Sequence, residues 1–96
     1  MLNKIKQQLK EINMVEKLQF YVQQLNEFKG YFDGFEVNFN IITDNHVELV
    51  SEQIKIIITK NNSTYTIDFY QNNQFEGNIT ACSVGEVIEI IDFIEW

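Results

Sequence analysis

The sequence predicts a single α+β domain in which N-terminal helices and a C-terminal helix pack on one face of an antiparallel β-meander. Two changes of period carry this prediction. Apolar residues recur at helical spacing over residues 2–29 and then alternate with polar residues over 35–82. A capping motif at Ser83 opens a further helical segment, 83–96. A chain of 96 residues has room for one hydrophobic core, so residues 1–96 are expected to form one domain.

The N-terminal segment contains two apolar stripes on nearly opposite sides of a helix. The first is Leu2, Ile5, Leu9 and Ile12, and the second is Met14, Leu18, Tyr21, Val22, Leu25 and Phe28. One straight helix cannot bury both stripes against a single sheet. Asn13 lies at the break, with Glu16 at capping distance. The pattern therefore predicts a short helix at 2–12 and a longer one at 14–29, ended by Gly30 as the left-handed residue.

Alternation from Phe35 predicts four to five strands joined by short polar turns, which is typical of antiparallel neighbours. The predicted strands are 35–41, 46–50, 54–59, 64–69 and 75–82. Their inward side chains are expected to be Phe35, Val37, Phe39, Ile41, Val47, Leu49, Ile54, Ile56, Ile58, Tyr65, Ile67 and Phe69. Ile57, on the opposite face, indicates a central strand covered on both sides. Asn61-Asn62 suits a tight hairpin because asparagine tolerates positive φ.

The closing segment is predicted to be helical, although the β-branched residues at 87–91 would also suit a strand. Acids at positions 86, 89, 92 and 95 follow a spacing of three, and the alternation of a half-buried strand is absent. The side expected to face the sheet carries Val84, Val87, Ile88, Ile91 and Ile94, with Ile90 at its edge.

The charge is distributed unevenly. The net charge is −7 and the chain has no arginine. Residues 1–30 carry five lysines against three glutamates, a balance of +2, whereas residues 31–96 carry two lysines against eleven acids, a balance of −9. Such a field repels nucleic acid and anionic lipid and favours encounter with basic proteins. The alternative explanation is that the acids serve only solubility.

Few residues are suited to catalysis. The one histidine and the one cysteine lie in different predicted elements, and the four glycines are dispersed. His46, beside a turn, is expected to be exposed, and Cys82 is expected to be a buried, unreactive thiol. No zinc motif or phosphate loop is present, so we expect no enzyme, metal or cofactor. A hydrolase that uses two carboxylates is the remaining enzymatic alternative.

Direct nucleic-acid binding and membrane binding are not expected either. Lys4, Lys6 and Lys10 form a small basic patch, but three lysines offer few phosphate contacts. The N-terminus lacks the apolar stretch of a secretory signal, and no apolar run is long enough to span a bilayer. The expected location is the cytoplasm.

The closing segment is the candidate site for a partner. Glu86, Glu89, Asp92 and Glu95 have no lysine at helical contact distance, and acids near a helix C-terminus oppose the helix dipole. Phe93 and Trp96, among them, are expected to be at least partly exposed, as in binding hot spots. The alternative for the indole is an ordinary place at the core edge.

A second acidic surface is expected on the outer sheet face. Glu36, Glu48, Asp68 and Glu76 are predicted to share it, with Lys55 as its sole base. This surface is interpreted either as a site for a basic partner or as plain solvated sheet.

In size, acidity, lack of arginine and order of elements, the chain resembles phage-encoded anti-CRISPR proteins that mimic nucleic acid. The resemblance involves no sequence motif, and it implies an inhibitor that occupies the nucleic-acid surface of an effector nuclease. Toxin-neutralising immunity proteins share this size and composition and would dock on a basic toxin. A hypothesis of another class is a structural subunit that forms a homodimer through a sheet edge or the helix at 2–12.

Overall fold

The computed structural model describes residues 13–33, 36–94 and 96, and it has the predicted α+β architecture. The elements in chain order are α1 (Asn13–Asp33), β1 (Asn38–Thr43), β2 (His46–Val50), β3 (Ile54–Asn61), β4 (Thr64–Gln71), β5 (Gln74–Ala81) and α2 (Val84–Asp92). The predicted helix at 2–12 and the predicted strand start at Phe35 lie outside the described residues.

The five strands form one antiparallel sheet in the order β1-β2-β3-β4-β5, so each strand pairs with its sequence neighbour. The β3–β4 and β4–β5 turns are two-residue loops, Asn62-Ser63 and Asn72-Asn73. The asparagines there have φ values of 56° for Asn62, 52° for Asn72 and 66° for Asn73. Asparagine adopts this left-handed backbone with little strain, which explains the tight hairpins.

The core lies between the two helices and one face of the sheet. Its buried residues are Met14, Leu18, Val22, Val37, Val47, Leu49, Ile56, Ile58, Tyr65, Ile67, Ala81, Val84, Val87 and Ile91. The predicted inward faces of β2, β3 and β4 are therefore confirmed. Ile57, on the outer face of β3, is half-buried, so this face is covered less completely at that position than the core face.

Two predictions about α1 are corrected. The helix continues through Gly30 to Asp33, so Gly30 does not end it. A glycine inside a helix costs only about 1 kcal/mol, which the hydrogen bonds of the neighbouring turns offset. Phe28, at the end of the predicted apolar stripe, is 70% exposed.

One side chain attaches α1 to the start of the sheet. The Asn26 side-chain amide donates to the Val37 carbonyl at 2.8 Å, and its oxygen accepts from the Val37 N–H at 2.6 Å. The Asn26 amide thus makes the two bonds that a neighbouring strand would make. This pairing satisfies the backbone just before β1 and sets where α1 lies over the sheet.

At the β1 edge, regular alternation does not predict burial. Val37 is buried and Phe39 partly buried, but Ile41 is 50% exposed, although it was expected to face inward. The pairing with β2 shifts between Ile41 and Thr43, and Ile42 is 53% exposed. An edge strand has a neighbouring strand on one side only. Alternation shows which face of the sheet each of its side chains is on, but it does not ensure that the side chain is buried.

Candidate partner-binding surface

Helix α2 begins with the predicted capping box. The Ser83 hydroxyl accepts from the Glu86 N–H at 3.1 Å, and the Glu86 carboxylate accepts from the Cys82 N–H at 3.2 Å. The first bond is that of a capping box, and the second is to the N–H of Cys82, one residue before the N-cap Ser83, whose own N–H a capping box would bond. Glu86, which is predicted to contact a partner, is exposed, and its carboxylate also makes this internal bond.

Burial of one side of α2 fixes which side faces solvent. Val84, Val87 and Ile91 are buried against the core, and Ile88 and Ile90 are partly buried beside them. Glu89 is exposed. The predicted orientation of the apolar side toward the sheet is confirmed.

The helix ends at Asp92, earlier than the predicted end at 96. The Phe93 N–H donates to the Ile90 carbonyl at 3.3 Å and the Ile94 N–H to the Ile91 carbonyl at 3.2 Å, so the last turn is tightened. No basic residue lies in this turn, and the acids at 89 and 92 oppose the helix dipole. Phe93 therefore lies just beyond the helix, where it is 88% exposed.

Asp92 connects α2 to α1. The Tyr21 hydroxyl donates to the Asp92 Oδ1 atom at 2.8 Å. Burial of Tyr21, together with the adjacent carboxylate, raises the pKa of its phenol well above the usual value, because both disfavour the phenolate. Asp92 was predicted to contact a partner, and its carboxylate already holds the two helices together.

Glu89 and Phe93 are left as the residues of the closing segment without such a role. Glu89 makes no hydrogen bond or ion pair with any residue that the structure describes. Phe93 is the most exposed of the large hydrophobic residues over 14–28, 36–94 and 96. We call these two residues and Asp92, which is exposed although it accepts from Tyr21, the α2 surface.

Trp96 differs from Phe93 in its exposure to solvent. Trp96 is partly buried, packs against the core, and has a buried indole Nε1 atom. It therefore lies at the edge of the core, which was the alternative to exposure. Glu95 lies outside the described residues.

A shallow groove beside the α2 surface was missed in the sequence. Phe20 of α1, 61% exposed, and Ile88 of α2 line it together with Glu16, Lys17, Tyr21 and Gln24. Phe20 falls outside the apolar stripe of α1, and this position was the signal that it faces solvent. The groove adds a second exposed aromatic ring close to Tyr21 and Asp92.

The outer sheet face is less acidic than predicted. The Lys55 ammonium lies 3.5 Å from Glu48 and 5.8 Å from the centre of the Tyr70 ring, and His46 Nε2 lies 4.0 Å from the same carboxylate. Glu48 is thus paired locally. Asp68 remains on this face, half-buried, opposite Ile57 and Asn78 in the pairing register.

Glu76 and Glu36, the other two acids predicted for the outer face, do not lie among the paired residues of that face. Phe69 pairs with Gly77 and Tyr70 with Phe75, so Glu76 is the extra residue of a β-bulge. It lines a cleft with apolar residues of the helix-covered face. Glu36 is exposed and precedes β1. The acids therefore do not form one continuous outer surface.

The histidine and the cysteine are not placed as expected. His46 is half-buried at the start of β2, with its Nε2 atom buried. Cys82 is exposed, because β5 ends one residue earlier, at Ala81. Among the described residues, no group of three or more His, Cys, Asp or Glu is arranged to hold a metal ion.

Comparison with protein-family models, with curated proteins and with solved structures finds no match to this chain. Neither of the described helices combines the length and apolar character needed to cross a membrane.

Proposed function

We propose that this protein is a non-enzymatic inhibitor that docks, through the α2 surface, on a basic partner that handles nucleic acid, as the resemblance to anti-CRISPR proteins implies. The observation that carries the proposal is the 88% exposure of Phe93 beside carboxylates that form no ion pair with a described lysine. Apolar area of this size gains free energy when a partner covers it. The acids around it repel nucleic acid and attract lysine and arginine.

The internal bonds of α2 support this proposal. The capping box and the Tyr21–Asp92 bond hold the helix at both ends, so Phe93 extends from a fixed position. A surface that is already ordered loses less conformational entropy on binding than a mobile one. The partner is an effector nuclease in the leading hypothesis and a toxin in the alternative, since both present basic surfaces.

The first experiment compares two pairs of variants. Glu89→Lys and Phe93→Ala change the α2 surface, whereas Glu52→Lys, in the β2–β3 turn, and Phe75→Ala, on β5, make matched changes elsewhere. The immobilised chain captures proteins from host extract, and a salt gradient elutes them. The identified partner is then purified, and its affinity for each variant is measured.

Each α2 variant is expected to weaken binding at least about tenfold, as for a hot-spot residue, with the Glu89→Lys effect shrinking at high salt. The control variants should change affinity less than about threefold. Equal losses for Glu89→Lys and Glu52→Lys would show nonspecific charge attraction and contradict the proposal. An unchanged affinity for Phe93→Ala would also contradict it.

A structural role as a self-pairing subunit is the second candidate function. The favouring observation is the β1 edge, where Ile41 and Ile42 are each about half exposed and the strand carries no charge. Unpaired edge backbone is a template for another strand. Light scattering separates the two candidates, because a stable dimer at micromolar concentration favours self-pairing and a monomer favours docking.

A further inference from the structure

A cleft of about 420 Å³ opens where the β5 edge of the sheet meets the chain after α2. Its apolar walls include Ile54, Phe69, Ile79 and Ile94, and Glu76 contributes a carboxylate. Among the described residues that line it, none is a lysine or a histidine and Glu76 is the one acid. Tyr70, Gln71 and Asn78 add uncharged polar groups to the apolar walls.

The β-bulge forms this cleft. Glu76 is the extra residue of the bulge, and Gly77 beside it has a φ of +141°, a backbone conformation that residues with a side chain rarely adopt. A Cβ atom at Gly77 would meet no other atom within 4 Å, so the space above it is open. Ile79 belongs to the helix-covered face through its pairing with Ile67, yet it is 46% exposed.

We propose that this cleft receives a lysine or arginine side chain of the basic partner, an inference that rests on the proposed function. The methylene groups of such a side chain bury apolar surface while its charged end stays near water. In the cleft, the stem would contact Ile79 and Ile94, and the cation would pair with Glu76. Ile94, in the wall of the cleft, is next to Phe93 in the chain.

The charge decides between a basic and a purely apolar occupant. An aliphatic side chain would fill the walls equally well, but it would leave the exposed Glu76 carboxylate without a partner. A cation pairs with the carboxylate instead. The cleft should therefore prefer lysine over its uncharged analogue norleucine.

The test uses the full chain and small capped peptides as probes. Acetyl-Ala-Lys-Ala-amide is titrated into the isotope-labelled protein, to about 50 mM because one side chain gives only millimolar affinity. The amide signals of Gly77 and Ile94 report on the cleft. We expect saturable shifts with the lysine peptide and at least about threefold weaker binding of the norleucine peptide.

Two variants with the same charge change separate the cleft from general attraction. Glu76→Gln is expected to weaken lysine-peptide binding about threefold, and Glu52→Gln, in an exposed turn, to leave it unchanged. Both variants keep the side-chain size, and a thermal unfolding curve confirms that each is folded. The proposal is overturned if the cleft signals do not shift, if norleucine binds as tightly as lysine, or if Glu76→Gln has no effect.

The outcome of the peptide titration does not depend on whether the α2 surface binds the partner. If the lysine peptide misses the cleft while partner capture still depends on Glu89 and Phe93, only the assignment of the cleft fails. If the peptide binds as expected but capture ignores Glu89 and Phe93, the proposed function fails, and the cleft remains a site for a cationic side chain.

Discussion

The acids of α2 and the acids of the outer sheet face carry the same charge but differ in what surrounds them. On the sheet, Glu48 is paired with Lys55 and lies near His46. On α2, Glu89 forms no ion pair with any described residue. A lysine that is close in space, though seven residues away in sequence, neutralises the sheet acid. The Glu89 carboxylate is therefore available to pair with a cation of another molecule, which favours α2 over the Glu48 position as the site for a basic partner.

The largest expected effect is on the free energy of unfolding. It compares a buried residue under α2 with a half-buried residue on the outer face of the sheet. Ile91→Ala should destabilise the protein by about 2–5 kcal/mol, because it leaves a cavity under α2. Ile57→Ala, on the half-buried outer face, should cost about 1 kcal/mol. Chemical denaturation of both variants measures the two free energies of unfolding. Equal costs would mean that α2 is not packed more tightly than the outer face.

The next effect concerns the Tyr21–Asp92 bond. The pKa of Tyr21 is raised in the folded protein above the usual value of 10.0, so the neutral phenol stabilises the fold. This contribution is fully present below pH 10 and is lost as the pH rises further, since the unfolded chain then releases the proton first. The free energy of unfolding should fall above pH 10, and less steeply in Tyr21→Phe. Parallel pH profiles would rule out a special role for this phenol.

The smallest effect tests the paired acid of the sheet. A double-mutant cycle of Glu48→Gln and Lys55→Met should give a coupling of about 0.2–1 kcal/mol that decreases with salt. Glu89→Gln, measured without any partner, should leave the free energy of unfolding nearly unchanged. A coupling of zero would mean that Glu48 is as free as Glu89, and the contrast between the two surfaces would disappear.

The fold could be predicted from the sequence because local patterns determine most of it. Alternation located the strand cores, and Ser83 with Glu86 marked the start of α2. Predictions failed where a long-range contact, or an extra residue within a strand, altered the regular spacing of the residues. The bulge at Glu76 shifts the phase of β5, and parity alone cannot reveal it. Gly77 was the available signal, because an isolated glycine in a strand often marks a bulge.

The candidate site could be predicted only in part. The exposure of Phe93 follows from its place among acids, but the Tyr21–Asp92 bond joins residues 71 positions apart, and no local pattern indicates it. The end of α2 at Asp92 was also missed, because spacing alone extended the helix to Trp96. Long-range contacts thus decided which acids are free to bind a partner.

The Asn26 side chain has a consequence for the chain between α1 and β1. Its two bonds to Val37 close this connection into a loop whose ends are eleven positions apart. The closure gives the Val37 N–H and carbonyl their partners from a helix side chain. Asn26→Ala would therefore leave both backbone groups without these partners and remove the hydrogen bonds that join α1 to the start of the sheet.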